Sequence, residues 1–110
     1  LLITPQGSES VTKRLDSDGI AIGLFPDFPF EEKTIAVPPN SQLYVFSDGV
    51  FEVTIHPDHQ IWGFDAWQTL VESHVQAPTA ALNALLEAVR NVNGHPVLDD
   101  DFSVLEVTFY

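Results

Sequence analysis

The chain contains no cysteine. That excludes disulfides, thiolate metal sites and cysteine nucleophiles, and it fits a reducing compartment. Positive charge is scarce as well. Four Lys and Arg stand against sixteen Asp and Glu, a formal net charge of −12, so the average surface repels phosphate backbones and anionic membrane faces. No nucleic-acid partner and no membrane partner is expected. No apolar stretch approaches the ~20 residues needed to cross a bilayer, and the opening LLITPQGSES lacks the basic and long apolar regions of a signal peptide. A cytoplasmic location follows as the expectation. Methionine is missing even from position 1, and the first residues read as the inside of a strand, so a piece of a longer chain is expected.

What is present suits one folded unit. With 110 residues, 45% of them hydrophobic and 18% charged, the chain is long enough for one domain with its own core and too short for two. It is organised around Gln42 to Glu52, QLYVFSDGVFE. Leu43, Tyr44, Val45 and Phe46 form an unbroken apolar run of aromatic and β-branched residues, which predicts a strand covered on both faces. The run stops at Ser47-Asp48-Gly49. A carboxylate there is held by the strand yet reaches the sheet edge, and Gly49 lets the chain turn without a Cβ in the way. Asp48 is therefore a candidate for chemistry, with a plain Asp-Gly turn as the alternative.

Several strands are expected before this stretch. Leu1 to Thr4 and Val11 to Leu15, separated by Pro5-Gln6-Gly7-Ser8, read as a hairpin. Asp16-Ser17-Asp18-Gly19 makes the next turn; it lacks the third acid and distal Glu of a calcium loop. Ile20 to Phe25 is apolar and interrupted by Gly23, and Phe30 to Val37 alternates well enough to predict a half-exposed strand. Beyond the central strand, His56-Pro57-Asp58-His59 invites a metal reading, but a Pro-containing loop offers no fixed face for ligands and no Cys completes a set. Phe64, Trp67, Leu70, Val71 and His74 then recur at helical spacing over Phe64 to Val75, with His74 read as a packed or rim histidine rather than a catalyst. A second helix is expected from Pro78, carried by Leu82, Leu85, Leu86, Val89 and Val92 and ended by Gly94. Phe102 to Phe109 is the closing strand. The fold class is thus α+β, a mostly antiparallel sheet with two C-terminal helices.

A second acidic feature, Asp99-Asp100-Asp101, precedes the closing strand. Adjacent carboxylates repel one another, so such a cluster is either solvated or neutralised by a cation. Carboxylate oxygen without His or Cys suits Mg²⁺ or Mn²⁺, and a paired-metal site of that kind binds phosphate oxygens and activates a bridging water. A solvated acidic turn is the alternative.

The order LYVFSDGVFEV, WG, two helices and LDDDFSVLEVTF resembles the C-terminal half of the SpoIIE-like branch of the metal-dependent protein phosphatases, the PPM or protein phosphatase 2C superfamily. Ala21-Ile22-Gly23, Pro39-Asn40-Ser41, Ser47-Asp48-Gly49 and Asp100-Asp101-Phe102-Ser103 match that branch's successive motifs. Asn40-Ser41 departs from the usual Gly-Asp, and Asp18-Gly19 from a Gly pair. The resemblance implies a four-layer α-β-β-α sandwich, of which residues 1–110 supply the C-terminal part of one domain. It implies metal ligation by Asp48 and Asp100, with Asp101 a supporting neighbour or alternate ligand and Gly49 beside it, in a two-metal Mn²⁺ or Mg²⁺ site; there is no catalytic group beyond the metal ligands. Glu52 matches a frequent acidic position. The branch's bridging ligands come from a GGD segment and a further Asp-Gly in the first half of the domain, and neither is present here.

The function so implied is hydrolysis of phosphoserine or phosphothreonine in a phosphorylated protein substrate, a bacterial regulator of the anti-anti-sigma type, with this piece inactive by itself. A homodimer or a fused sensor or receiver domain is the expected context. The alternatives are a pseudophosphatase or regulatory module that binds a signalling partner, and a plain acidic α+β domain. Two helices can cover only one side of the sheet, so an open apolar face is also expected.

Overall fold

A computed structural model describes residues 1–16, 23–27, 29, 31–77, 79–95 and 97–110. The chain opens with the expected hairpin. Strand β1 (Leu2–Gln6) pairs antiparallel with β2 (Glu9–Lys13), with Gln6 opposite Glu9. That leaves Gly7-Ser8 as a two-residue turn, and Gly7 takes its first position at φ 62°, a left-handed conformation that glycine adopts without steric cost. Strand β3 (Gln42–Phe46) lies between β1 and β6 (Val104–Thr108), giving an antiparallel sheet of order β2-β1-β3-β6. A small ribbon of β4 (Thr54–Ile55) and β5 (Gln60–Ile61) forms where only a loop was expected.

Both helices pack on one face of the four-stranded sheet. Helix α1 spans Phe64–Val75, as its periodicity predicts, and buries Trp67 and Val71. Helix α2 spans Asn83–Asn93 and buries Leu85 and Val89. Its start differs from the expected one near Pro78: position 78 lies outside the described residues, and residues 79–82 are not helical. Its end agrees, because Gly94 at φ 84° caps it with its N–H donating to Arg90 O at 2.8 Å. From the sheet come Leu1, Ile3 and Tyr44, which together with Val50, Val53 and the helical residues form the core. Each such fully buried side chain contributes about 1.5–3 kcal/mol relative to exposure.

Within these residues β3 is covered on one face only, not on both as expected. Cross-strand partners share a face, so Val45 and its partner Leu105 lie opposite Tyr44, on the side away from the helices. Val45 is 52% and Leu105 59% exposed. The shortest extent of the molecule is 19 Å, the depth of one sheet and one helical layer. An unbroken apolar run was read as double-sided burial, yet only its even-numbered residues meet the helices. The open face expected from a single helical layer is present around Val45 and Leu105, while Leu2 on the same face is buried.

The half-exposed strand expected over Phe30 to Val37 is also absent: residues 31–37 carry no regular structure, and Phe30 lies outside the described residues. So do Ser17, Asp18 and Gly19 of the expected turn and Ile20 to Ile22 of the apolar run, while residues 23–27 form turns and bends. At the next turn Asn40 sits at φ 63°. Asn tolerates that left-handed position, which explains its standing where the related motif has glycine. Ser41 replaces the motif's Asp and is buried, its Oγ donating to Pro38 O at 2.7 Å and bonded to Thr4 Oγ1 at 2.9 Å.

Under α1, Tyr44 donates to Glu106 Oε2 at 2.6 Å, and His74 Nε2 lies 3.4 Å from the same oxygen. His74 is packed as expected, with its side chain 7% exposed. Burial pushes the Tyr44 phenol above its ordinary pKa of 10.0, and the hydrogen bond to the Glu106 carboxylate and that group's charge push it further. A raised folded-state pKa gives stability that is complete below the ordinary value and is lost as pH climbs above it. Urea unfolding should therefore show stability falling from about pH 10 upward, with a shallower fall in Tyr44→Phe. Elsewhere, buried Asn93 donates from Nδ2 to Thr54 O at 2.8 Å, tying α2 to β4. Asn93→Ala should cost about 1–3 kcal/mol in the same assay.

Candidate metal-binding turns

The acidic turns meet because β3 and β6 are neighbours. Tyr44 lies opposite Glu106 and Phe46 opposite Val104, so the end of β3 adjoins the approach to β6. Ser47 fastens the two. Its N–H donates to Ser103 O at 3.1 Å, its Oγ accepts from Ser103 N at 3.2 Å, and the same Oγ donates to Asp101 O at 3.3 Å. Neither serine was singled out by sequence reasoning, although a short hydroxyl beside a strand end is a recognised local hydrogen-bonding signal.

Beyond Ser47, Asp48–Val50 forms one turn of 3₁₀ helix. The N–H groups of Phe51 and Glu52 both donate to Asp48 O, at 3.2 and 3.0 Å, which fixes the Asp48 backbone. Gly49 is buried against the other turn. A Cβ built on it would fall onto the Asp101 carbonyl oxygen, 2.9 Å from the carbonyl carbon and 3.5 Å from Asp100 Cβ. Its role is close approach of two backbones, more than the freedom to turn. On the opposing turn, Asp101 N–H donates to Asp100 Oδ1 at 2.8 Å.

The side chains of Asp48, Asp99, Asp100 and Asp101 are all exposed. The fold thus brings together the backbones of the sequence-predicted residues Asp48, Gly49, Asp100 and Asp101. Glu52 is held through its N–H to Asp48 O. The donor set fits a hard divalent cation: carboxylate oxygens only, on two hydrogen-bonded turns, with a glycine-wide gap between them. Among the described residues, however, no group of three His, Cys, Asp or Glu is arranged to hold a metal ion. Beside Asp48 runs a groove of about 380 Å³, bordered by Phe46, Phe51, Phe64, Leu15 and Arg14. Arg14 is fixed there by Asp65 at 2.6 Å and Gln68 at 2.7 Å, with its guanidinium 4.5 Å from the centre of the Phe64 ring.

An antiparallel α+β unit of one sheet and two helices, with acidic turns abutting at neighbouring strand ends, is consistent with a fragment of the domain that the motifs implied. The chain belongs to the Stage II sporulation protein E (SpoIIE) family, whose profile matches residues 1–110. Membership implies a phosphatase of the PPM superfamily or a regulatory domain related to it. No curated protein and no solved structure matches the chain. Among the described residues, no helix is long and apolar enough to cross a membrane.

Gly49→Ala tests the contact between the turns. The added methyl must displace the Asp101 carbonyl, so the variant should lose about 1–3 kcal/mol in denaturant unfolding, and amide signals of residues 99–103 should shift in NMR spectra.

Proposed function

We propose that this chain is the C-terminal part of a protein phosphatase domain that hydrolyses phosphoserine and phosphothreonine with the help of Mn²⁺ or Mg²⁺. The observation that carries the reading is the packing of Gly49 on the Asp101 carbonyl, which joins the two acidic motifs of a chain whose whole length matches the family. In this reading Asp48 and Asp100 hold metal. Asp101 supports Asp100 or takes its place, and the remaining ligands come from the part of the domain that precedes these residues. The bound ion supplies a water of lowered pKa and positive charge for the phosphoryl oxygens.

The chain's own residues provide position and field. Ser47 and Ser103 hold the two turns in register, and the 3₁₀ turn keeps the Asp48 carboxylate at the end of a rigid strand. With a net charge of −12, the protein repels an anionic phosphoprotein, so a local reversal of sign is needed where the substrate lands. A bound metal would provide it, because Arg14 on the rim of the groove that reaches Asp48 is already paired with Asp65 at 2.6 Å. The substrate is a phosphorylated bacterial regulator of the anti-anti-sigma type, acted on in the cytoplasm, and the domain works as a homodimer or joined to a sensor or receiver domain. Within the complete domain, a second sheet covers the open face around Val45 and Leu105 and completes the four-layer sandwich.

The test is Mn²⁺-dependent hydrolysis of p-nitrophenyl phosphate and of a phosphoserine protein by the full-length protein and its Asp48→Asn variant. Activity should require the metal and fall at least about 100-fold in the variant, with circular dichroism unchanged. A folded full-length protein without metal-dependent activity on either substrate would instead identify a regulatory relative that binds a partner.

A further inference from the structure

The pairing of β1 with β3 reaches beyond Leu2. Leu1 N donates to Tyr44 O at 2.9 Å and Tyr44 N to Leu1 O at 2.8 Å, the exchange that marks a hydrogen-bonded antiparallel pair. Strand β3 runs two residues further, to Phe46. Backbone groups along a strand alternate sides, and Ser47 N donates toward β6, to Ser103 O, so the N–H and C=O of Phe46 face the line of β1. Across that line stands the continuation of β2: Leu2 lies opposite Lys13, and Arg14, Leu15 and Asp16 follow. The groove of about 380 Å³ lies between these two walls, with Leu1, Leu15, Asp16, Val45, Phe46 and Asp48 in its lining.

We propose that this groove is a path of the chain itself: the residues immediately before Leu1 continue β1 between β2 and β3 as far as the Asp48 turn. The inference rests on the reading above, in which these residues are the C-terminal part of one domain. The register is then fixed. The residue before Leu1 falls opposite Val45, and the second before it falls opposite Phe46 and takes up its N–H and C=O. The fourth stands level with Asp48, about 13 Å from Leu1 at about 3.3 Å per residue. Alternation also assigns the faces. The second residue before Leu1 shares the helix-covered face with Phe46, whose ring centre is 6.3 Å from that of Phe51 and 5.8 Å from that of Phe64, so an apolar side chain suits it. The first shares the open face with Val45.

A separate peptide is the competing occupant, because an open strand edge invites strand addition. Two observations favour the chain. Leu1 is buried with its nitrogen already bonded to Tyr44 O, so a residue joined to that nitrogen has its Cα only about 3.8 Å from that of Leu1, at the mouth of the groove. The wall also carries Asp16, and the chain has a net charge of −12, which disfavours a phosphorylated peptide lying along it. The consequence reaches the acidic turns. Asp48 is flanked by the Asp100–Asp101 turn on the β6 side and by the incoming chain on the β1 side, so the earlier part of the domain enters beside the carboxylates it is to complete.

The experiment uses the purified full-length protein, with any cysteine outside these residues replaced by serine. A cysteine at the position before Leu1 is combined with Val45→Cys. Antiparallel neighbours that do not exchange hydrogen bonds have Cα atoms about 4.5 Å apart, within disulfide reach, so mild oxidation should join them in most molecules, read by mass spectrometry. The same cysteine combined with Leu105→Cys, one strand further and about 10 Å away, should stay unjoined. In the wild type, the Phe46 amide should exchange at least about 100-fold more slowly than in an unfolded chain, a readout that needs no variant. Fast exchange at Phe46, or no Val45→Cys disulfide in a variant that circular dichroism shows to be folded, overturns the proposal. Protection of Phe46 without that disulfide assigns the groove to a separate peptide or a second copy and overturns it as well. Neither readout requires activity: a missing disulfide in a metal-dependent phosphatase strikes this inference alone, and a disulfide in an inactive protein strikes only the phosphatase reading.

Discussion

Where β3 ends, two stretches of backbone come so close that no Cβ fits between them. The space is set by Gly49 against the Asp101 carbonyl, and the hydrogen bonds of Ser47 to Ser103 and Asp101 keep it closed. This contact converts strand neighbourhood into a fixed juxtaposition of the two turns. Antiparallel pairing of β3 with β6 places one strand's end beside the other's beginning, but pairing alone would leave two loops free to splay. With the gap closed, the exposed residues Asp48, Asp100 and Asp101 emerge from anchored backbone.

The same sheet shows how unequally its two faces are treated. One carries Tyr44 and Ile3 under Trp67 and Val71, with the Tyr44 hydroxyl bonded to Glu106 and His74 alongside, while Trp67 Nε1 is buried there without a hydrogen-bond partner among the described residues. The other leaves Val45 and Leu105 more than half exposed, an apolar surface of the kind that marks contact with further protein. A single helical layer protects a single face, so the rigidity of the acidic turns rests on the helix-covered side, where Val50 of the 3₁₀ turn is fully buried in the core.

Local signals were legible where one short stretch decides the outcome. The α1 boundaries follow from Phe64, Trp67, Leu70 and Val71 at helical spacing, the Gly94 cap from glycine just past the last periodic residue, and the first hairpin from Pro5-Gln6-Gly7-Ser8 between apolar runs. Readings failed where the outcome depends on what lies across from the residue. Alternation over Phe30 to Val37 suits a strand, but residues 31–37 have no strand partner, and without a ladder extended backbone is only loop. Leu43 to Phe46 suits double-sided burial, but a second layer has to exist for that.

The sequence by itself determined the fold class, the acidic character, and the two carboxylate motifs whose order marks the family, because composition, periodicity and short motifs are properties of the chain alone. Only the tertiary structure decided which of these residues meet. The approach of Gly49 to Asp101 and the Ser47 fastening each depend on pairings across tens of residues. No local preference encodes such pairings; they follow from the one arrangement that buries Tyr44, Trp67 and Val89 together.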